Sequence, residues 1–376
     1  MPTYKLTIAY DGTDFAGWQK QEPPDPAAHP EQRAQRVAIN KLEAGLEAGR
    51  PGRIALRTVQ AVVERAVREV VREPVLVQGA SRTDAGVHAR CQVGVFRCGG
   101  GTEGEARDEE TERRRDEVGG ESDGATERRS DEGGGHGSES RATASRATGG
   151  WPVGRGVDRL LRAVNSRLPR DVQVVAAELV RDGFDPIGDC VAKGYSYSFW
   201  TSPHRALWER RTVWHTWSGL DVAAMREAAR WFVGVHDFAA FAAAGHGRAS
   251  TVREVFACEV WEETERRRDG ETECGERRHE GTEARRHEGA ESRSESLAIG
   301  GRAVVEPGRL VRVDISGSGF LYNMVRIVAG TLHEVGRGRI AAGDVPGIIA
   351  GLDRRRAGPT LPPEGLCLEW IRYREP

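Results

Sequence analysis

Apolar and polar positions alternate at the start of the chain. Tyr4-Lys5-Leu6-Thr7-Ile8-Ala9-Tyr10 has the period of two expected of a strand, and Asp11-Gly12-Thr13 ends it as a turn. The period then lengthens. From Thr58, apolar residues at Val59, Val62, Val63, Ala66, Val67 and Val70 recur in steps of three and four, which predicts a helix. The β-prone runs Val75–Gln78 and Gln92–Phe96 read as strands on either side of a polar loop. Val157, Leu160, Leu161 and Val164 predict a helix over 157–168, and Val172–Leu179 a further strand. Strands are expected at Lys193–Thr201 and Val213–Trp217, and a helix over 222–233 from Met225, Ala228, Ala229 and Phe232. Val252–Trp261 and Arg309–Ser316 read as the two arms of a hairpin. A long helix is expected from Phe320 to Val335, with Leu321, Met324, Val325, Val328, Leu332 and Val335 on one face.

Three stretches interrupt this pattern. Residues 22–56 open with Glu22-Pro23-Pro24-Asp25-Pro26, carry a helix-like run near Ala34–Leu46, and read as an inserted excursion. Residues 99–150 contain no Leu, Ile, Phe, Tyr, Met or Trp, and Val118 is their one β-branched aliphatic. Residues 262–296 hold no large apolar residue. Neither acidic stretch can bury enough surface to offset its chain entropy, so both are expected to be disordered. Each carries Thr-Glu-Arg-Arg-Arg-Asp, at 111–116 and 264–269, a repeat of sequence that is no folded unit. The expected division is an N-terminal half at 1–180 and a C-terminal half at 181–376, the latter interrupted over 262–300.

These stretches distort the charge balance. They carry 14 acidic and 8 basic side chains (99–150) and 12 acidic and 8 basic (262–296), together −10. Removing them from the whole-chain charge of −2 leaves about +8 on the rest. A basic folded part calls for an anionic partner, of which nucleic acid is the commonest. The six cysteines include no Cys-x-x-Cys pair, which argues against zinc-site spacing or a secreted disulfide scaffold and for reduced thiols in a cytoplasm. The N-terminal residues lack the apolar core of a signal peptide, and no run of about 18 apolar residues exists to span a membrane.

The chemistry concentrates in Ser81-Arg82-Thr83-Asp84-Ala85-Gly86-Val87-His88-Ala89. An aspartate on a loop leaving a strand, with Arg82 two residues before it, reads as a nucleophile whose pKa a neighbouring cation lowers. The plainer alternative is an Asx-type turn beside a surface arginine. Between Phe199 and Trp217, four tryptophans interleave with histidines and arginines. That segment reads as a strand pair packing its aromatics, with arginines able to reach phosphates.

Further pieces accompany the Asp84 loop. They are Tyr10-Asp11-Gly12-Thr13-Asp14-Phe15-Ala16-Gly17-Trp18-Gln19-Lys20-Gln21, Thr58-Val59-Gln60, Lys193-Gly194-Tyr195-Ser196-Tyr197, Gly319-Phe320-Leu321-Tyr322-Asn323-Met324-Val325-Arg326 and Glu364-Gly365-Leu366. In this order they resemble the tRNA pseudouridine synthase A family along all the foldable chain. The resemblance implies an α+β fold, the pseudouridine synthase fold, with two α/β halves of mainly antiparallel sheet flanked by helices around a central cleft. It implies isomerisation of uridine to pseudouridine in the anticodon stem-loop, at tRNA positions 38, 39 and 40, with no cofactor and no metal, by a homodimer with tRNA across both subunits. Asp84 matches the catalytic aspartate, which attacks the flipped nucleoside at C1′ of the ribose or C6 of the base. Arg82 matches an arginine that holds the flipped conformation, Tyr195 a tyrosine that stacks on the uracil and assists proton loss from C5, and Arg326 an arginine that pairs with the aspartate. Phe184-Asp185-Pro186-Ile187 departs from the family's Phe-x-Ala-Arg pattern, which bears on substrate contacts. The alternatives are a degenerate relative that binds tRNA without modifying it, and a hydrolase using Asp84 with His88. Both acidic stretches are expected to project away from the RNA.

Overall fold

The period-two pattern of the first strand sets the sheet's buried face. In β1 (Thr3–Tyr10), Tyr4, Leu6, Ile8 and Tyr10 all point into the core. The computed structural model describes residues 1–22, 55–99, 150–243, 250–262 and 308–374. The helix-like run near 34–46, the expected disorder of the acidic stretches and the direction in which they project lie outside the described residues.

Helix α1 (Val59–Val71) follows, capped by the Thr58 hydroxyl, which accepts from the Ala61 N–H at 3.4 Å. Next come β2 (Gln78–Gly79), β3 (His88–Arg97), α2 (Val157–Asn165), β4 (Val172–Val180), β5 (Cys190–Thr201), β6 (Trp214–Thr216) and α3 (Val222–Ala229). The chain continues through β7 (Gly234–Asp237), β8 (Val252–Glu262), β9 (Arg309–Gly317), α4 (Met324–Gly336), α5 (Val345–Gly351) and β10 (Leu366–Tyr373). The strands form one sheet in the order β4-β1-β3-β10-β5-β9-β8-β7, with β2 on β3 and β6 on β5. Its pairings are antiparallel except β10–β3 and β5–β6. The fold is therefore α+β with a mainly antiparallel sheet, and strands from before and after residue 181 share it.

One apolar core joins the sheet to its helices. Val62, Val63 and Val67 of α1, Leu160 and Val164 of α2, Met225 of α3 and Ile327, Val328 and Leu332 of α4 pack with Leu6, Tyr195, Tyr197 and Phe199. Ser196, between the two tyrosines, donates instead to Glu369 at 2.7 Å, and Glu369 pairs with Arg312 at 3.0 Å. Alternation along β5 thus separates an apolar face from a polar one.

Several elements depart from the periodic reading, each for a local reason. The strand expected over 75–78 is reduced to Gln78–Gly79. Side chains of α1 occupy the preceding backbone: Val77 N–H donates to Glu64 at 3.2 Å, Gln60 donates to Val77 O at 2.8 Å, and Arg68 to Val75 O at 2.8 Å. The helix expected from Phe320 starts at Met324, because Asn323 adopts φ 60°, which cannot continue a helix turn. The helix expected over 157–168 stops at Asn165, whose amide bonds both the N–H and C=O of Val174 at 2.8 Å. That expected over 222–233 gives way to a 3-10 turn at Arg230–Phe232. Val252–Trp261 and Arg309–Ser316 are neighbouring antiparallel strands, as expected of a hairpin's arms.

The described chain also leaves and re-enters each interruption between bonded neighbours. Leu56 N–H donates to Gln21 O at 3.2 Å, Trp151 N–H to Gly99 O at 3.0 Å, and Arg309 meets Glu262 at 3.0 Å. Added length between two points already held together costs the fold little, since closure entropy grows only logarithmically.

Candidate active site

The Asp84 loop runs from β2 to β3 and is held from three sides. Gln92 of β3, fully buried, accepts the Ser81 N–H at 3.2 Å and donates to the Ser81 carbonyl at 2.7 Å. Lys193 of β5 donates to the Ala80 carbonyl at 2.8 Å. Behind the loop, residues 12–18 bind its backbone: Trp18 N–H donates to Thr83 O at 3.0 Å and Gly86 N–H to Phe15 O at 3.2 Å. The Tyr10 and Thr83 hydroxyls share a 2.7 Å hydrogen bond. Two glycines permit this approach. A Cβ on Gly12 would stand 1.9 Å from the Val87 carbonyl oxygen, and Gly17, at φ 100°, would put one 2.7 Å from that of Thr83. The glycines of Asp-Gly-Thr and Ala-Gly-Trp are thus explained by the loop they support.

Opposite stands Arg326, in the first turn of α4. Its Nε donates to the Leu361 carbonyl at 2.6 Å and its Nη1 to Asn323 Oδ1 at 2.9 Å. The same Nη1 reaches Asp84 Oδ2 at 3.4 Å. The guanidinium is oriented before it meets the carboxylate. Tyr195 completes the cluster: its hydroxyl shares a 2.9 Å hydrogen bond with Ser81, and its ring meets Phe320 edge-on at 5.3 Å. Asp84, Arg326 and Tyr195 are therefore brought together.

Arg82 is not part of that cluster. It is exposed, and among the described residues no ion pair joins it to Asp84. The cation beside Asp84 is Arg326, which corrects the local reading. The expected lowering of the carboxyl pKa is also reversed: burial pushes Asp84 above its ordinary value, and Arg326 only partly offsets this. Burial likewise pushes the Tyr195 phenol up to about 12, with the nearby Asp84 charge adding to it. Tyr197 is fully buried and donates to the Pro362 carbonyl at 2.8 Å, which commits it to the core.

His88 faces away from the chemistry. Its Nδ1 accepts the Gly12 N–H at 3.1 Å and lies 3.3 Å from Asp11, while burial lowers its pKa. No hydrogen bond joins it to Asp84 among the described residues, so the geometry offers nothing to a hydrolase built on that pair.

Sequence reasoning missed Gln92, Asn323 and the Leu361 carbonyl. Gln92 left a trace, as an amide opening an otherwise apolar strand. The 199–217 segment divides. Phe199, Trp214 and His333 pack together with centroid separations of 4.8 to 5.9 Å, as expected of packed aromatics. Trp217 meets the His215 ring edge-on at 4.2 Å yet stays 60% exposed, and Trp208 is 90% exposed. Among the described residues no group of three or more His, Cys, Asp or Glu is placed to hold a metal, and no helix is long and apolar enough to cross a membrane.

Comparison with known proteins finds relatives along the whole chain. A family model described as tRNA pseudouridine synthase matches residues 228–374. The tRNA pseudouridine synthase A of Ruminiclostridium cellulolyticum is 30% identical over 99% of this chain and 100% of its own. That of Solidesulfovibrio magneticus is 32% identical over 100% of this chain and 93% of its own. The Geobacter sulfurreducens enzyme of the same name is 29% identical over 99% and 100%.

Proposed function

The chain belongs to the tRNA pseudouridine synthase A family, and on that footing we propose how it works and on which uridines. The activity is isomerisation of uridine to pseudouridine in tRNA. The proposed targets are uridines of the anticodon stem-loop, at tRNA positions 38 to 40. Asp84 is the proposed nucleophile. The observation that carries this reading is the 3.4 Å contact between its carboxylate and a pre-oriented Arg326, beside Tyr195.

A stacked base is out of reach, so the nucleotide turns out of the RNA into the site before Asp84 meets it. Exposed Arg82 holds the extruded nucleotide. Asp84 then forms a transient bond to the nucleoside, at C1′ of the ribose or C6 of the base. The C1′–N1 bond breaks, the uracil turns, C5 joins C1′ and the bond to Asp84 breaks; the C5 proton leaves to solvent and N1 takes one up, so the product is an isomer of uridine. Arg326 offsets the desolvation of the carboxylate in its ionised, nucleophilic form. Tyr195, whose phenol at about 12 stays protonated near neutral pH, stacks on the base and donates a hydrogen bond. That protonation argues against a phenolate base for the C5 proton. The reaction draws on no metal and no cofactor. The working unit is proposed to be a cytoplasmic homodimer with tRNA lying across both subunits.

The test uses purified protein, a uridine-containing tRNA transcript and a pseudouridine-specific chemical readout. Turnover by the wild type, lost in Asp84→Asn with tRNA binding retained, is the expected result. Tight tRNA binding without wild-type turnover identifies a binding protein instead, and release of free uracil a hydrolase.

A further inference from the structure

Residues 202–213 stand at the same end of the sheet as the Asp84 loop. Thr201 ends β5 there, while Leu366, opposite Tyr197, and His88, opposite Cys367, begin β10 and β3. The segment is a built loop. Ser202 N–H donates to Thr216 O at 3.3 Å, and the N–H groups of Thr212 and Val213 donate to Glu209 O at 2.8 and 3.1 Å. Ala206 and Val213 are buried beneath it. Arg211 fastens it to the turn after β1, reaching Asp11 at 3.1 Å and Asp14 at 3.5 Å. Asp11 in turn touches His88, where the Asp84 loop enters β3.

The tip of this loop is apolar and serves no core. Trp208 is 90% exposed and Leu207 66%. Around them His204, Arg205 and Arg210 are also exposed, and Glu209 is the single acidic residue of the segment. Arg210 donates to the Leu207 carbonyl at 2.6 Å, which turns its guanidinium along the loop. A rigid indole among cations, on a loop anchored at both ends, presents a flat face to stack on and charges to meet phosphate. Nucleic acid supplies both features, and stacking suits any base because every base has a π-face.

We infer that Trp208 stacks on an unpaired base of the tRNA substrate while Arg205 and Arg210 hold the adjoining phosphates. This rests on tRNA being the substrate and adds a contact outside the Asp84 cluster. The surface fits RNA better than protein because its charged groups are nearly all of one sign and it shares an end of the sheet with Asp84.

The test is tRNA affinity by filter binding with the full chain, alongside pseudouridine formation. Trp208→Ala should weaken binding roughly 5- to 150-fold, the range that follows from losing one base–aromatic stack, and should raise KM far more than it lowers kcat. Trp208→Phe should recover most of the affinity, which also guards against a folding defect. Combined Arg205→Gln and Arg210→Gln should flatten the salt dependence of log Kd by about 0.7 to 0.9 per lost phosphate contact. A Kd for Trp208→Ala within twofold of wild type, or unchanged RNA affinity with a shift from dimer to monomer in sedimentation, overturns the inference. Wild-type turnover is scored separately. If it persists while Trp208→Ala binds normally, only the stack is refuted, and if the wild type forms no pseudouridine the proposed function fails on its own.

Discussion

Replacing Arg326 by glutamine removes the charge facing Asp84 and leaves a side chain that can still donate to Asn323 or the Leu361 carbonyl. Unit charges 3.4 Å apart attract by about 5 kcal/mol at an effective dielectric of about 20. Asp84 keeps 29% of its side-chain surface in contact with solvent, which roughly halves that figure. A loss of about 2.5 kcal/mol or more from the ionised carboxylate corresponds to about two orders of magnitude in kcat/KM. The sign of the pH effect follows from burial, which already raises the Asp84 carboxyl. Activity needs the ionised form, so it rises with pH, and removing Arg326 displaces that rise to higher pH. Arg326→Gln should therefore lose most at pH 6 and recover in part at pH 9, measured as kcat/KM on a tRNA transcript. Arg326→Lys should fall between, keeping a charge without the fork that Leu361 and Asn323 orient. A profile for Arg326→Gln with the wild-type shape, and kcat/KM within threefold of wild type, refutes the pairing. A thermal melt of each variant separates this effect from unfolding.

Tyr195→Phe keeps the ring and loses only the bond to Ser81, so kcat should fall less than about tenfold, whereas Tyr195→Ala loses the stacking surface and should fall much further. With its phenol near 12, Tyr195 should contribute no inflection to the wild-type rate profile between pH 6 and 9, and a tyrosine titration there by absorbance would contradict its placement. Gln92→Leu leaves both backbone groups of Ser81 without their partner and should cost about 1 to 3 kcal/mol for each group left buried, read as a lower urea midpoint together with reduced kcat. Asp84→Asn removes a carboxyl whose folded pKa is raised. In the wild type, ionising that group costs stability as pH rises from its unfolded value through its folded one, so the variant's Tm relative to wild type should be more favourable at pH 7 than at pH 3.

What could be read from the chain was whatever depends on period and on residues close in sequence. The alternation of Tyr4, Leu6, Ile8 and Tyr10 and the three-four steps after Thr58 each describe one face of one element, and those faces are buried. The pairing of Asp84 could not be read that way. Arg82 is two residues off and faces solvent, while Arg326 is 242 residues away and arrives only through the packing of α4. The strand expected over 75–78 failed for a related reason: Glu64, Gln60 and Arg68 claim its backbone, and no periodicity within 75–78 records the side chains of another helix.

The same reasoning explains why Glu364-Gly365-Leu366 accompanies the Asp84 loop despite lying near the chain's end. These residues lead into β10, which inserts between β3 and β5 and bonds both: Cys367 opposite His88, Leu368 opposite Tyr195. The spacing between the Asp84 loop and Tyr195 is therefore set by a strand that contributes neither. Contact at the entry to β10 is close. A Cβ on Gly365 would stand 2.7 Å from the Tyr197 ring, and one on Gly86 would stand 2.8 Å from the side chain of Pro363. Gly365→Ala should accordingly press on the Tyr197 ring and the Ser198 carbonyl and shift β10 by roughly an ångström to restore ordinary van der Waals separation. The effect should reach turnover before it reaches tRNA binding, because nucleophilic attack tolerates less displacement than an interface spread over many groups. Equal losses in Kd and kcat for Gly365→Ala would mean that β10 supports the fold generally and does not set the geometry between Asp84 and Tyr195.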